Sequence, residues 1–154
     1  MTPPRASAAM LDAARPAPAP RSFLRLVSRV RIAVMDALDA ELAPFDISAA
    51  QMMVLGTIAT GEADSATGLC KGISYDPGAM TRMIDRLEQK GLLRRTPRPD
   101  DRRTQSLELT PEGKALYPKL AAAKEAVQAR FLRGFSEDEQ RMFEGLLNRM
   151  LANR

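Results

Sequence analysis

The side chains best placed to do chemistry in this sequence are arginines. Between Arg82 and Arg103 stand eight basic residues (Arg82, Arg86, Lys90, Arg94, Arg95, Arg98, Arg102, Arg103) and four acidic ones (Asp85, Glu88, Asp100, Asp101), an excess equal to the +4 of the whole 154-residue chain. Positive charge gathered on one stretch is what neutralising nucleic-acid phosphates requires. A guanidinium adds a forked pair of donors that fits guanine O6 and N7. A solvated surface can carry the same charge, so density alone does not separate the two readings; spacing does. Wound as a helix at about 100° per residue, the segment from Pro77 to Lys90 puts Met80, Met83, Ile84 and Leu87 on one side. Gly78, Arg82, Asp85 and Gln89 fall on the other, flanked by Ala79 and Arg86. Small residues at the helix start let backbone approach a groove closely, and the arginines follow behind them. A second group, Arg98, Arg102 and Arg103, sits in a short segment rich in turn formers, where an arginine can enter the minor groove. Asp101 is spaced to aim Arg103 through a forked ion pair; its bland alternative, and more so that of Asp100, is solubilising charge.

Other chemistries are excluded by what is missing. The chain has no histidine and one cysteine, Cys70. It therefore offers no His/Cys zinc cluster, no intramolecular disulfide, and no Ser-His or Cys-His nucleophile pair. The carboxylates are scattered or stand beside arginines, so no enzyme is expected and no cofactor. No apolar run approaches the roughly 18 residues of a membrane span. Residues 1–20 are Ala/Pro-rich without the apolar block of a secretory signal; they are expected to be a flexible tail on a cytoplasmic protein.

The elements that must hold the arginines in place can be read from period and caps. Phe23, Leu26, Val27, Val30, Val34, Leu38 and Leu42 recur at helical spacing until Pro44, and Leu24, Ile32 and Met35 add a second apolar line. A helix apolar on more than one face suits contact with a second subunit. Ser48 with Gln51 is a capping box, opening a helix that carries Met52, Met53, Leu55 and Ile58 to Gly61. Residues 65–72 form a short helix around Leu69. Asp76-Pro77 then opens the arginine-bearing helix, with Gly91 as its C-terminal glycine. Residues 92–96 and 104–109 read as strands joined by a charged tip at 97–102, with Leu107 and Leu109 facing inward. Thr110-Pro111 caps a long helix bearing Leu116, Leu120, Ala123, Val127 and Phe131. Ser136 and Glu139 box a last one with Met142, Phe143, Leu146, Leu147 and Met150.

The resulting order, α-α-α-α-β-β-α-α, is mainly α with a small β-hairpin wing: a winged helix-turn-helix framed by N- and C-terminal helices. The second helix of such a pair normally enters the major groove. The expected division is a tail at 1–20, a dimerisation helix at 21–47, a DNA-binding lobe at 48–110 and dimerisation helices at 111–152. Within residues 74–103 the candidate DNA contacts are Ser74, Gly78, Ala79, Thr81, Arg82, Arg86, Arg98, Asp101, Arg102 and Arg103.

At these residues the sequence resembles the MarR family of multiple-antibiotic-resistance-type regulators. The resemblance is carried by Leu69 to Arg95, including Thr81-Arg82 and Asp85-Arg86-Leu87. It continues in Asp101-x-Arg103, Leu107-x-Leu109-Thr110 and Gly113. In organisation it extends over about residues 21–152. It implies a triangular homodimer that binds pseudo-palindromic double-stranded DNA, most members repressing transcription until a small phenolic or aromatic carboxylate ligand releases them. It also implies a ligand pocket between the dimerisation helices and the DNA-binding lobe. By resemblance, Thr81 and Arg95 match positions touching an anionic aromatic ligand, and Asp76 and Arg86 match a shallower second site. Arg95 has phosphate contact as an alternative. Some members sense oxidants through a cysteine. Cys70 takes a place where the family carries a small buried alanine, and a buried thiol is generally inert packing. Redox control through Cys70 and a winged-helix protein-interaction module are the competing readings; the basic wing argues against the second.

Overall fold

Residues 22–73, 75–97 and 105–153 are described by the computed structural model. The expectations for the tail and for Ser74, Arg98, Asp101, Arg102 and Arg103 lie outside the described residues. The chain divides into a first unit ending at Ala33 and a second running on from Val34, a division that falls within helix α1 (Phe23–Leu42). In the first unit Leu24, Leu26, Val27, Val30 and Ile32 are all exposed. In the second unit Ala37, Leu38 and Leu42 are buried.

Helix α1 stops at Leu42, as Pro44 requires. The chain then winds into a 3-10 turn at Ala43–Phe45 that the sequence reading did not anticipate, and Asp46 closes it in the left-handed region at φ 55°. Helix α2 (Ala49–Ala59) begins with the expected capping box. The Ser48 hydroxyl accepts from Gln51 N–H at 3.2 Å, and Gln51 Oε1 accepts from Ser48 N–H at 3.1 Å. Two of the helix's orphan donors are thereby satisfied. Helix α3 (Ala66–Ile73) starts and ends one residue later than expected, because the Ser65 hydroxyl accepts from Gly68 N–H and so stands outside the helix.

Helix α4 (Pro77–Gln89) is followed by Lys90 and by Gly91 at φ +70°. A side chain there would be strained, and glycine is the residue that ends a helix this way at least cost. Strand β1 (Leu93–Pro97) pairs antiparallel with β2 (Gln105–Leu109), Leu93 opposite Leu109 and Arg95 opposite Leu107. The strand begins at Leu93 rather than Leu92 because Leu92 N–H donates back to Leu87 O, which keeps it in the turn. Helix α5 (Pro111–Phe131) is capped by Thr110, whose hydroxyl accepts from Gly113 N–H at 3.0 Å. Helix α6 (Glu137–Ala152) opens with the expected Ser136–Glu139 box. Among the described residues the six helices and the two strands follow in the order read from the sequence.

The core of the second unit is built where α2, α3, α4, the hairpin and α5 meet. Leu42, Val54, Leu55, Leu69, Met80, Ile84, Leu87, Leu93 and Leu120 are almost fully enclosed. Interior side chains pack at crystal-like density, so each fixes its neighbours. One contact is closer than any side chain allows: a Cβ on Gly113 would lie 2.2 Å from Leu92 O. The start of α5 therefore presses directly on the turn that follows α4. Helix α6 is the opposite case. It contains no buried residue, and Met142, Phe143, Leu146, Leu147 and Leu151 are exposed.

Candidate nucleic-acid interface

Helix α4 owes its position to its own sequence. Asp76 Oδ1 accepts from Ala79 N–H at 3.0 Å, and Pro77 begins the helix with its φ already suited to it. Met80, Ile84 and Leu87 are buried at 0–1% exposure, with Met83 half-buried beside them. That anchors one side of the helix and leaves the other to solvent. Gly78, Arg82, Arg86 and Gln89 are exposed there, with Ala79 half-buried at the edge. Gly78 has a visible use: a Cβ on it would stand 3.2 Å from Asp76 Oδ1 and 3.5 Å from Arg82 Nη1. The Arg82 guanidinium thus lies back over the first turn of the helix, beside bare backbone. Thr81 is exposed, and its hydroxyl donates to Pro77 O at 2.9 Å.

The basic residues of this stretch divide by whether the chain already employs them. Lys90 reaches back to Asp46, donating to its carbonyl and, at 2.9 Å, to Oδ2. Arg94 pairs with Glu108 directly across the hairpin, donating from Nε at 3.2 Å and from Nη2 at 2.8 Å. This holds the Glu108 carboxyl below the usual carboxylate range. Arg95 bridges two carboxylates of α4, Nη2 to Asp85 Oδ1 and Nη1 to Glu88 Oε2. The hydrogen bond that Arg95 donates to Asp85 raises the Arg95 pKa above its ordinary value, so the group is held charged. Among the described residues Arg82 and Arg86 make no ion pair. Arg86 also lines a groove of about 700 Å³ at the C-terminal end of α4, with Asp39, Asp46, Gln51, Gln89 and Lys90.

Two sequence expectations need revising. Helical phase put Asp85 at the centre of the outward face, yet it is half-buried and turned to Arg95. The signal for this was present in part: Asp85 and Glu88, three apart, share a helix face, but nothing in the sequence said that Arg95 would stand against them. Cys70 was expected to be buried, and it is half-buried, a free thiol at the edge of the core. Asp76 is exposed at the helix cap, 3.0 Å from the N–H it accepts. Among the described residues no three His, Cys, Asp or Glu side chains gather as metal ligands would. No single helix among them is long and apolar enough to cross a membrane.

Comparison with known proteins agrees with this geometry. The sequence profile of the MarR family matches residues 47–104. The multiple antibiotic resistance protein MarR of Salmonella typhimurium is 35% identical over 115 residues, which cover 74% of this chain and 80% of that protein. The HTH-type transcriptional regulator PecS of Dickeya dadantii is 31% identical over 134 residues, 85% of this chain and 81% of its own. Among solved structures, a cysteine-to-serine variant of MarR from E. coli complexed with operator DNA superposes with a TM-score of 0.78 at 32% identity, over 85% of this chain and 94% of that one. CouR from Rhodococcus jostii RHA1, bound to p-coumaroyl-CoA, gives 0.77 at 26% identity over 84% and 92%.

Proposed function

The chain belongs to the MarR family of winged helix-turn-helix transcriptional regulators, and we propose that it is a homodimeric repressor released from a pseudo-palindromic operator by a small aromatic or phenolic ligand. The observation that carries the DNA part is the exposed face of α4. It joins bare backbone at Gly78 to two arginines, Arg82 and Arg86, that have no intramolecular ion pair among the described residues. Bidentate reading of guanine asks for such donors. The wing residues Arg98, Arg102 and Arg103, with Asp101 aiming Arg103, complete the proposed contact by entering the adjacent minor groove.

The dimer is supported by apolar surface that one chain leaves uncovered. Leu24, Val30 and Ile32 on α1 and Met142, Leu146 and Leu151 on α6 are 49 to 77% exposed. Large apolar side chains left in water on each of these helices are what a second copy would cover. Two copies would then place their recognition helices about 34 Å apart, one turn of DNA. The ligand part is supported by the groove at the C-terminal end of α4, where Arg86 offers a cation to an anionic group. Arg95, Thr81 and Asp76 remain candidate contacts, but a ligand carboxylate at Arg95 has to compete with Asp85 and Glu88. As a repressor of chromosomal genes it acts in the cytoplasm.

The test is binding to DNA upstream of its own gene at several salt concentrations. A sequence-selective, salt-sensitive complex is expected, weakened by an aromatic carboxylate such as salicylate. Absence of selectivity would defeat the DNA reading, and insensitivity to aromatic carboxylates and phenols the ligand reading. A second reading, redox control, has one observation in its favour, the half-buried thiol of Cys70. It requires that an oxidant release the wild type from DNA and not a Cys70→Ser variant.

A further inference from the structure

The bridge made by Arg95 joins two parts of the molecule that must meet DNA together. Arg95 is on β1, the first strand of the wing, while Asp85 and Glu88 are on α4. The two carboxylates are three residues apart and so stand on one side of the helix. Each nitrogen at the end of the guanidinium takes one of them. Arg95 is 27% exposed, against 46% for Asp85 and 38% for Glu88, so the bridge is sheltered but not sealed. Lone surface ion pairs contribute little, whereas one planar guanidinium held by two fixed acceptors is geometrically demanding.

We propose that Arg95 is a positioning residue that latches the wing to the recognition helix and cancels the negative charge of Asp85 and Glu88 beside Arg82 and Arg86. The inference rests on the DNA-binding reading and deepens it: the latch acts on DNA without touching it. Its electrostatic part follows from where the carboxylates lie. Asp85 neighbours Arg86 in sequence and lies one turn from Arg82, half-buried beside these two exposed arginines. Uncompensated, two negative charges there repel phosphates and draw Arg82 and Arg86 away from base edges. Its mechanical part follows from the chain: β1 is tied to α4 through the Gly91 turn at one end and through Arg95 farther along. Two ties fix an orientation where one only fixes a distance. The wing and the helix then present their arginines in a single spacing.

A direct phosphate contact by Arg95 makes different predictions, and a double-mutant cycle separates them. The DNA is a duplex recovered by the wild type from a random-sequence pool, compared with an unrelated duplex of the same length. Arg95→Gln is expected to lower affinity for the selected duplex on the order of tenfold and for the unrelated one much less. Adding Asp85→Asn and Glu88→Gln to Arg95→Gln should restore the electrostatic part of that loss, while the same two changes in the wild-type background, which open the latch without leaving unpaired negative charge, should cost only the smaller mechanical part. Arg95→Lys should not rescue, because a single ammonium cannot span both acceptors in one plane. Additive effects, or rescue by lysine with a salt dependence lowered by about one ion in Arg95→Gln, would overturn the latch in favour of a phosphate contact. Amide hydrogen exchange of the protein without DNA supplies a readout independent of DNA binding. Exchange in β1 and the second half of α4 should rise in Arg95→Gln and in Asp85→Asn/Glu88→Gln alike; unchanged exchange in both would overturn the mechanical part. If no duplex is selected from the pool, the DNA reading itself fails, and the exchange experiment still judges the latch.

Discussion

Gly113 and Glu108 show how different the stakes of single residues are in this fold. A methyl group on Gly113 would fall within 2.2 Å of a backbone carbonyl, where no flexible side chain can yield. Gly113→Ala should therefore destabilise the protein by about 1–3 kcal/mol, the range for forced overpacking, and a urea melt would read it. Glu108 is half-buried, and its carboxyl is depressed mainly by the hydrogen bond from Arg94. A carboxyl with a folded pKa below its unfolded one stabilises the protein above the unfolded value and loses that contribution as pH falls through the folded one. Glu108→Gln should therefore flatten the dependence of the melting midpoint on pH in the acid range, lowering the midpoint slightly near neutral pH and leaving it unchanged at the acid end, where the carboxyl is already protonated. Neither role was equally open to sequence reading. Gly113 could be noticed as part of a pattern but not explained, since the carbonyl it meets belongs to Leu92, twenty-one positions earlier. Arg95 was read as a contact for ligand or phosphate because its partners belong to another element; Arg82, whose surroundings are its own helix, was placed correctly on the exposed face.

Helices in this chain were legible because their ends carry local signals. Ser48, Asp76, Thr110 and Ser136 each accept from the N–H three residues on, an interaction decided within one turn. Asp76→Ala should cost about 1 kcal/mol in urea unfolding. It should also raise hydrogen exchange in the first turn of α4, which presents Gly78 and Ala79. On the buried side of the same helix Ile84 is 1% exposed. Ile84→Ala should cost about 2–5 kcal/mol, read as a lower urea midpoint. Elements whose limits depend on distant partners were read less well. The strand starts at Leu93 because Leu92 is held by Leu87 O on one side and by Thr110 N–H on the other. The 3-10 turn at Ala43–Phe45 fills the stretch between the end of α1 at Leu42 and the αL corner at Asp46.

At the scale of the molecule, the sequence showed which helices were too apolar to be left in water but not what covers them. Helix α6 makes the point: its boxed start was readable, and its apolar residues are the ones that stay exposed. If a second copy covers them, Leu146→Glu should shift sedimentation from dimer toward monomer and weaken operator binding, because one recognition helix loses the help of the other. An unchanged mass would place the interface elsewhere. The seam between α4 and α5 bears on how such proteins can be recombined. Thr110 is held to Gly91 O and Leu92 O, and Gly113 leaves no gap against Leu92. The reading helix is therefore not a cartridge that ends with its own last residue. A chimera designed to borrow another family member's DNA preference must take the stretch through Gly113 with it, or it will inherit the right letters at the wrong tilt.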